Sequence, residues 1–283
     1  MHRSIPAHAL CAVAILLAFP AAHATSTATS VLAYFGISLT DLAPSDGIAP
    51  TLTLDPLSRS TAAPGAVSPG ANTFWIQQGD SAFGPVSSSG EFAGAGGSAA
   101  FAGDPFGAGA RITASATGGP SFAIGSGAAY IDTQPTGFTE LLLGPRTQVV
   151  FSGLAQLDWN ASNPAAAAYG EIDLAFWRWT GDSEELVAQQ YATGGYYGDG
   201  AGALSGSTSN TLAIAFANDS DAPVALGYEV SVFAHAAELE TVPSPVDEPG
   251  GAVLMLAGAA ALWRRRRGAA PRVDLSGGSG ACP

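Results

Sequence analysis

The chain has no lysine, and its ten basic residues are all arginines. It has only two cysteines, Cys11 and Cys282, and four histidines, three of them within the first 23 residues. Each shortage removes a class of function. Without cysteines between them, residues 25–240 have no disulfide framework and no thiol nucleophile. With His235 as their single histidine, they lack the imidazoles of a typical zinc site, which a set of carboxylates replaces poorly. A Ser-His-Asp relay would depend on that one histidine, and no nucleophile-elbow motif marks a serine for it. Twenty acids against Arg59, Arg111, Arg146 and Arg178 make this region strongly negative, and the whole chain has a net charge of −13. A surface of that sign repels nucleic acid and anionic lipid. No convincing amphipathic-helix period appears either. These shortages predict a non-enzymatic protein with no obligatory cofactor and no nucleic-acid partner.

The chain does have two apolar ends. "MHRSIPAHALCAVAILLAFPAAHA" has Arg3, an apolar run over 9–19, and Ala22-His23-Ala24, which fits the small-x-small rule of signal peptidase. The run is shorter than the ~20 residues a membrane span needs. Residues 1–24 are therefore expected to be a removable signal peptide, and residues 25–240 an exported domain long enough for one sizeable core.

That domain reads as sheet. Alternating apolar faces run through "TQVVFSGLAQLDWN" (Val149, Phe151, Gly153, Ala155, Leu157, Trp159) and "EIDLAFWRW" (Ile172, Leu174, Phe176). The same period appears in "TLAIAFAN" (Leu212, Ile214, Phe216) and "LGYEVSVFA" (Leu226, Tyr228, Val230, Val232). Period-two alternation with one wet side predicts antiparallel strands. Further strands are expected at 31–39, 51–54, 73–78, 90–102, 110–116 and 121–130. About ten short strands and no helix predict an all-β fold, a β-sandwich of jelly-roll or immunoglobulin-like type. A short β-solenoid is the alternative, but no repeat period supports it. The Gly/Ala/Ser-rich stretch 87–129 reads as loops and weak strands around a small-residue face, or as a partly mobile segment.

Two acidic spots are candidate sites. Glu171 and Asp173 share a strand face with Tyr169, Trp177 and Trp179. Aromatic rings stack on pyranose faces and acids hold sugar hydroxyls, so Trp177, Trp179, Glu171 and Asp173 form a candidate sugar-binding set. The alternative is that the tryptophans cover the core edge. In "DLAPSDGIAP", Asp41 and Asp46 are candidate calcium ligands, against plain turn chemistry at Asp46-Gly47. Asn160-Ala161-Ser162 and Asn218-Asp219-Ser220 match the glycosylation sequon.

The C-terminal region divides into a Pro/acid linker (241–249), a short apolar span (250–263) and Arg264, Arg265, Arg266 and Arg267 with a tail to residue 283. Fourteen residues of helix reach about 21 Å, against a hydrocarbon core of roughly 30 Å. Trp263 at the interface and snorkelling arginines can make up the difference. The cations belong on the cytoplasmic side. This acid-proline motif, apolar span and arginine cluster, in that order, resemble the PEP-CTERM sorting signal of Gram-negative bacteria. Glu248 and Pro249 match the last two letters of its motif, and Asp247 stands where the family has its first proline. The resemblance implies recognition by an exosortase-like enzyme after signal peptidase has acted. It implies a transient inner-membrane intermediate, then release to the cell surface or outside the cell, with a structural or adhesive role linked to exopolysaccharide. A carbohydrate-binding module and a permanently tail-anchored periplasmic protein are the alternatives.

On this reading the arginines hold the span while the motif is processed, since each resists crossing at about 2.5–3.5 kcal/mol. Replacing all four by Ser is expected to release unprocessed protein into the periplasm. Replacing Glu248 and Pro249 is expected to leave full-length protein in the inner membrane. Fractionation with intact-mass spectrometry reads both outcomes; normal trimming of the arginine variant would remove the sorting role.

Overall fold

The computed structural model describes residues 25–54, 58–68, 71–74, 77–78, 83–119, 123–133, 140–180 and 183–238. The signal segment, the linker, the apolar span, Asp247, Glu248, Pro249 and the arginine cluster lie outside the described residues. So does the expected C-terminal membrane helix; among the described residues no helix is long and apolar enough to cross a membrane.

The described residues form an all-β structure of sixteen strands in two antiparallel sheets. One sheet, here sheet A, runs β15-β12-β1-β9-β8-β7. Its strands are β1 (Thr27–Asp41), β7 (Val86–Phe92), β8 (Ala95–Asp104), β9 (Gly109–Thr117), β12 (Thr147–Asn160) and β15 (Ser205–Asn218). Sheet B runs β14-β13-β16-β10-β3-β6. Its long strands are β10 (Ile124–Thr133), β13 (Ala167–Thr180), β14 (Ser183–Tyr196) and β16 (Val224–Ala237). The short strands β2 (Leu52–Leu54), β3 (Ser58–Ala62), β4 (Gly65–Ser68), β5 (Ala71–Phe74), β6 (Gln77–Gln78) and β11 (Glu140–Leu143) extend it.

The pairing is nested. The hairpin partners β13 and β14 pair, then β12 with β15, then β10 with β16. A fourth pair joins β9 to β1, the first strand of the fold. Taken in this order, successive pairs fall in alternate sheets.

The expected inner faces are the buried ones. Val149, Phe151, Ala155, Leu157, Ile172, Leu174, Phe176, Leu212, Ile214, Leu226, Tyr228, Val230 and Val232 are all buried. Phe151 of sheet A meets Phe176 of sheet B at 4.7 Å between ring centroids, and Tyr228 at 5.7 Å. Phe35 and Phe83 extend this aromatic cluster. In β1 the inward positions change parity. Leu32 and Phe35 are both fully buried, and the register against β12 shifts between Ala33 and Gly36. The residue between, Tyr34, has φ 54° and is exposed, as a bulge requires.

The described part of the Gly/Ala/Ser stretch forms β7 to β10 with short turns between strands, and it brings the sheets together backbone to backbone. A Cβ on Gly97 would lie 1.7 Å from the Ser126 carbonyl oxygen across the core. On Gly125 it would lie 2.2 Å from the carbonyls of Gly96 and Thr117, and on Gly127 2.3 Å from that of Ser98. The core therefore tapers, from aromatic rings at one end to bare backbone at the other.

Gly125→Ala is expected to destabilise the fold by about 3 kcal/mol or more, the upper reach of overpacking, because backbone must move. Gly47→Ala, at φ 73° with open space around it, should cost only about 1–2 kcal/mol for its left-handed conformation. Urea denaturation compares the two; equal losses would refute the close-approach account.

Candidate functional site

The outer face of sheet B carries the candidate sugar-binding residues. Inner positions on β13 are Ile172, Leu174 and Phe176, so Tyr169, Glu171, Asp173 and Trp177 point the other way. Glu171 is exposed; Tyr169, Asp173 and Trp177 are half-buried. Trp179 pairs through its backbone with Glu184, and its side chain is outside the described residues.

Two neighbours enlarge this face. In β16, Tyr169 is opposite His235, Glu171 opposite Phe233 and Asp173 opposite Ser231. In β14, Glu171 is opposite Thr193 and Asp173 opposite Tyr191. Directly opposed residues of an antiparallel pair share a face. The result is a tier of rings. Tyr169 lies 4.8 Å from Tyr197 and 4.8 Å from His235, and Phe233 lies 6.0 Å from Tyr169. Tyr197 and Tyr191 are exposed at 55% and 64%. The sequence showed the β13 face and the β16 face separately. It did not show that they are adjacent, and Tyr191 and Tyr197 carried no pattern to mark them.

Below the rings is the acidic tier. Asp173 Oδ2 accepts a hydrogen bond from Gln189 Nε2 at 2.7 Å, while Oδ1 is shut off from solvent with no well-formed partner. Burial holds the Asp173 carboxyl above its ordinary range, partly opposed by the bonds from Gln189 and the Leu174 backbone. Burial also raises the Tyr169 phenol, with Tyr197 and Glu171 adding to the effect. His235 is pushed the other way by burial, toward the neutral imidazole. The face thus presents neutral rings, hydroxyls and carboxylates. These are the groups that stack on sugar rings and accept from sugar hydroxyls.

The other candidates separate from this face. Asp41 Oδ1 accepts from the Ala43 backbone N–H and Asp46 Oδ1 from that of Ile48. Each carboxylate closes a local turn, and no group of three or more potential metal ligands gathers among the described residues. The two sequons also differ. Asn160 is exposed. Asn218 is buried, and its Nδ2 donates to the carbonyls of Gly144 and Ala222, both at 2.8 Å. That nitrogen is already committed to holding the turn between β15 and β16.

No family model, curated protein or solved structure matches this chain.

The raised Asp173 value fixes the sign of its effect on stability. The fold favours the protonated carboxyl, so its contribution is fully present below about pH 3.9 and is lost as pH rises through the folded value. Asp173→Asn is therefore expected to raise the melting temperature at pH 7 and to give no gain at pH 3. Scanning calorimetry at both pH values checks this; a loss at pH 7 would mean the carboxylate is a net support of the fold.

Proposed function

We propose that this is an exported, non-catalytic protein of the cell surface or extracellular matrix, sorted by its PEP-CTERM-like tail, that adheres to exopolysaccharide through the outer face of sheet B. The observation that carries this reading is the ring tier of Tyr169, Tyr197, His235 and Phe233 beside Glu171 and Asp173. Rings presented on a rigid sheet supply stacking area at low entropic cost, and fixed acceptors beside them select hydroxyl geometry.

The fold beneath the site is read as a jelly roll. The three nested pairs, with β1–β9 beside them, support it over an immunoglobulin-like sandwich, because a jelly roll is a rolled antiparallel ribbon whose rungs alternate between sheets. A fold of this kind does not itself name a ligand. The charge pattern narrows the choice. Carboxylates on the face and a strongly negative exported domain disfavour uronate-bearing polymers and favour neutral or amino sugars.

A glycan array with the processed protein tests this. Neutral or amino-sugar polysaccharides should bind more tightly than uronates. Tyr169→Ala with Trp177→Ala should weaken binding at least tenfold, which corresponds to about 1.4 kcal/mol of lost stacking. A wild-type protein that binds no glycan, or a double variant that binds equally well, would overturn the assignment.

A further inference from the structure

Glu238 follows directly after β16 and is buried at 9% relative exposure. Its carboxylate is held by the start of the domain and by a crossing turn. Oε1 accepts from the Ser26 backbone N–H, and Oε2 from the Ser162 hydroxyl. Ser26 is itself fully buried, and its Oγ accepts from the Ser162 backbone N–H at 3.0 Å. The Ser26 carbonyl accepts from the Gly118 N–H at 2.9 Å. Among the described residues the ion pairs are Arg146–Asp221 and Arg178–Glu185, so no side-chain cation meets Glu238 there. A buried carboxylate in a folded protein is usually paired with a cation.

We infer that the countercharge is the protein's own new N-terminus: the α-ammonium group of Thr25, created when the signal peptide is removed after Ala24, pairs with Glu238. The inference rests on the export reading above. Cleavage there leaves Thr25 immediately before the residue whose N–H already bonds the carboxylate. Successive Cα atoms are about 3.8 Å apart, so the ammonium lies within one residue's reach of that bond. In the precursor the same nitrogen is an uncharged amide. Processing therefore adds a charge pair at the point where β1 and the end of β16 meet, and the processed fold is closed more firmly than the precursor.

The missing lysines give the test its selectivity. The chain has no lysine, so once processed its α-amino group is its sole primary amine. The processed protein is isolated from the producing cells, its N-terminus is read by intact mass, and the amine is acetylated. Acetylation should lower the wild-type melting temperature by about 2–4 °C, as expected for losing one favourable pair in a domain of this size. It should lower Glu238→Gln no further. The amine pKa, taken from labelling rate against pH, should lie above the usual 7.7–8.0 in wild type and return to it in Glu238→Gln. The wild-type profile alone decides the matter if the variant does not fold. An ordinary amine pKa, or an equal temperature loss in both proteins, overturns this inference and leaves the export reading standing. An N-terminus other than Thr25 overturns the cleavage point and the pairing together.

Discussion

The fold depends on one contact, the meeting of two sheets with no side chain between them. Sheets usually stack about 10 Å apart, because side chains from both must fit in the gap. Here Gly97, Gly125 and Gly127 remove those side chains along facing stretches of β8, β9 and β10. The layers then converge, and Ala114, Ala116, Ala234 and Ala236 fill what little depth remains. Dispersion between close backbones replaces the burial that larger residues would have supplied. At the other end Phe35, Phe83, Phe151, Phe176 and Tyr228 fill a full-depth core. A domain without disulfides is thus held by a graded wedge, and neither end tolerates the other's residues.

The same wedge positions the outer face. β13 and β16 each contribute to the core through one side only. Their other sides are free to carry Tyr169, Glu171, Asp173, Phe233 and His235, because those residues have no part in filling the interior. The partial burial of Asp173 comes from lateral neighbours such as Gln189, not from the core.

Much of this was legible in the sequence where a strand has one dry and one wet side. The alternation in β12, β13, β15 and β16 identified their inner faces residue by residue, and the acids and rings of β13 fell together on the outer one. The exceptions have physical causes. β14 went unread because it is an edge strand, with exposed positions on both faces and so no period to detect. β11 is four residues long, too short to carry a period. The glycine-rich segment was ambiguous because a strand that packs by lacking side chains leaves no side-chain pattern. In β1 the bulge at Tyr34 changed the phase midway. Adjacency was beyond reach altogether: the union of the β13 and β16 faces arises from pairing across a long stretch of chain, and no local rule specifies a partner.

The place of β1 has a consequence for how the molecule is made. It is the first strand of the fold, yet it sits in the interior of sheet A between β9 and β12, both far downstream. Its start is tied to a residue 212 positions away. A chain made N-terminus first therefore exposes this strand long before its neighbours exist. Closure entropy of that size makes such topologies slow to form. Until β12 arrives, β1 is an unpaired edge able to accept any other strand, including that of a sister chain. The interval between synthesis and closure, and not the finished fold, is where a topology of this kind is most open to mispairing.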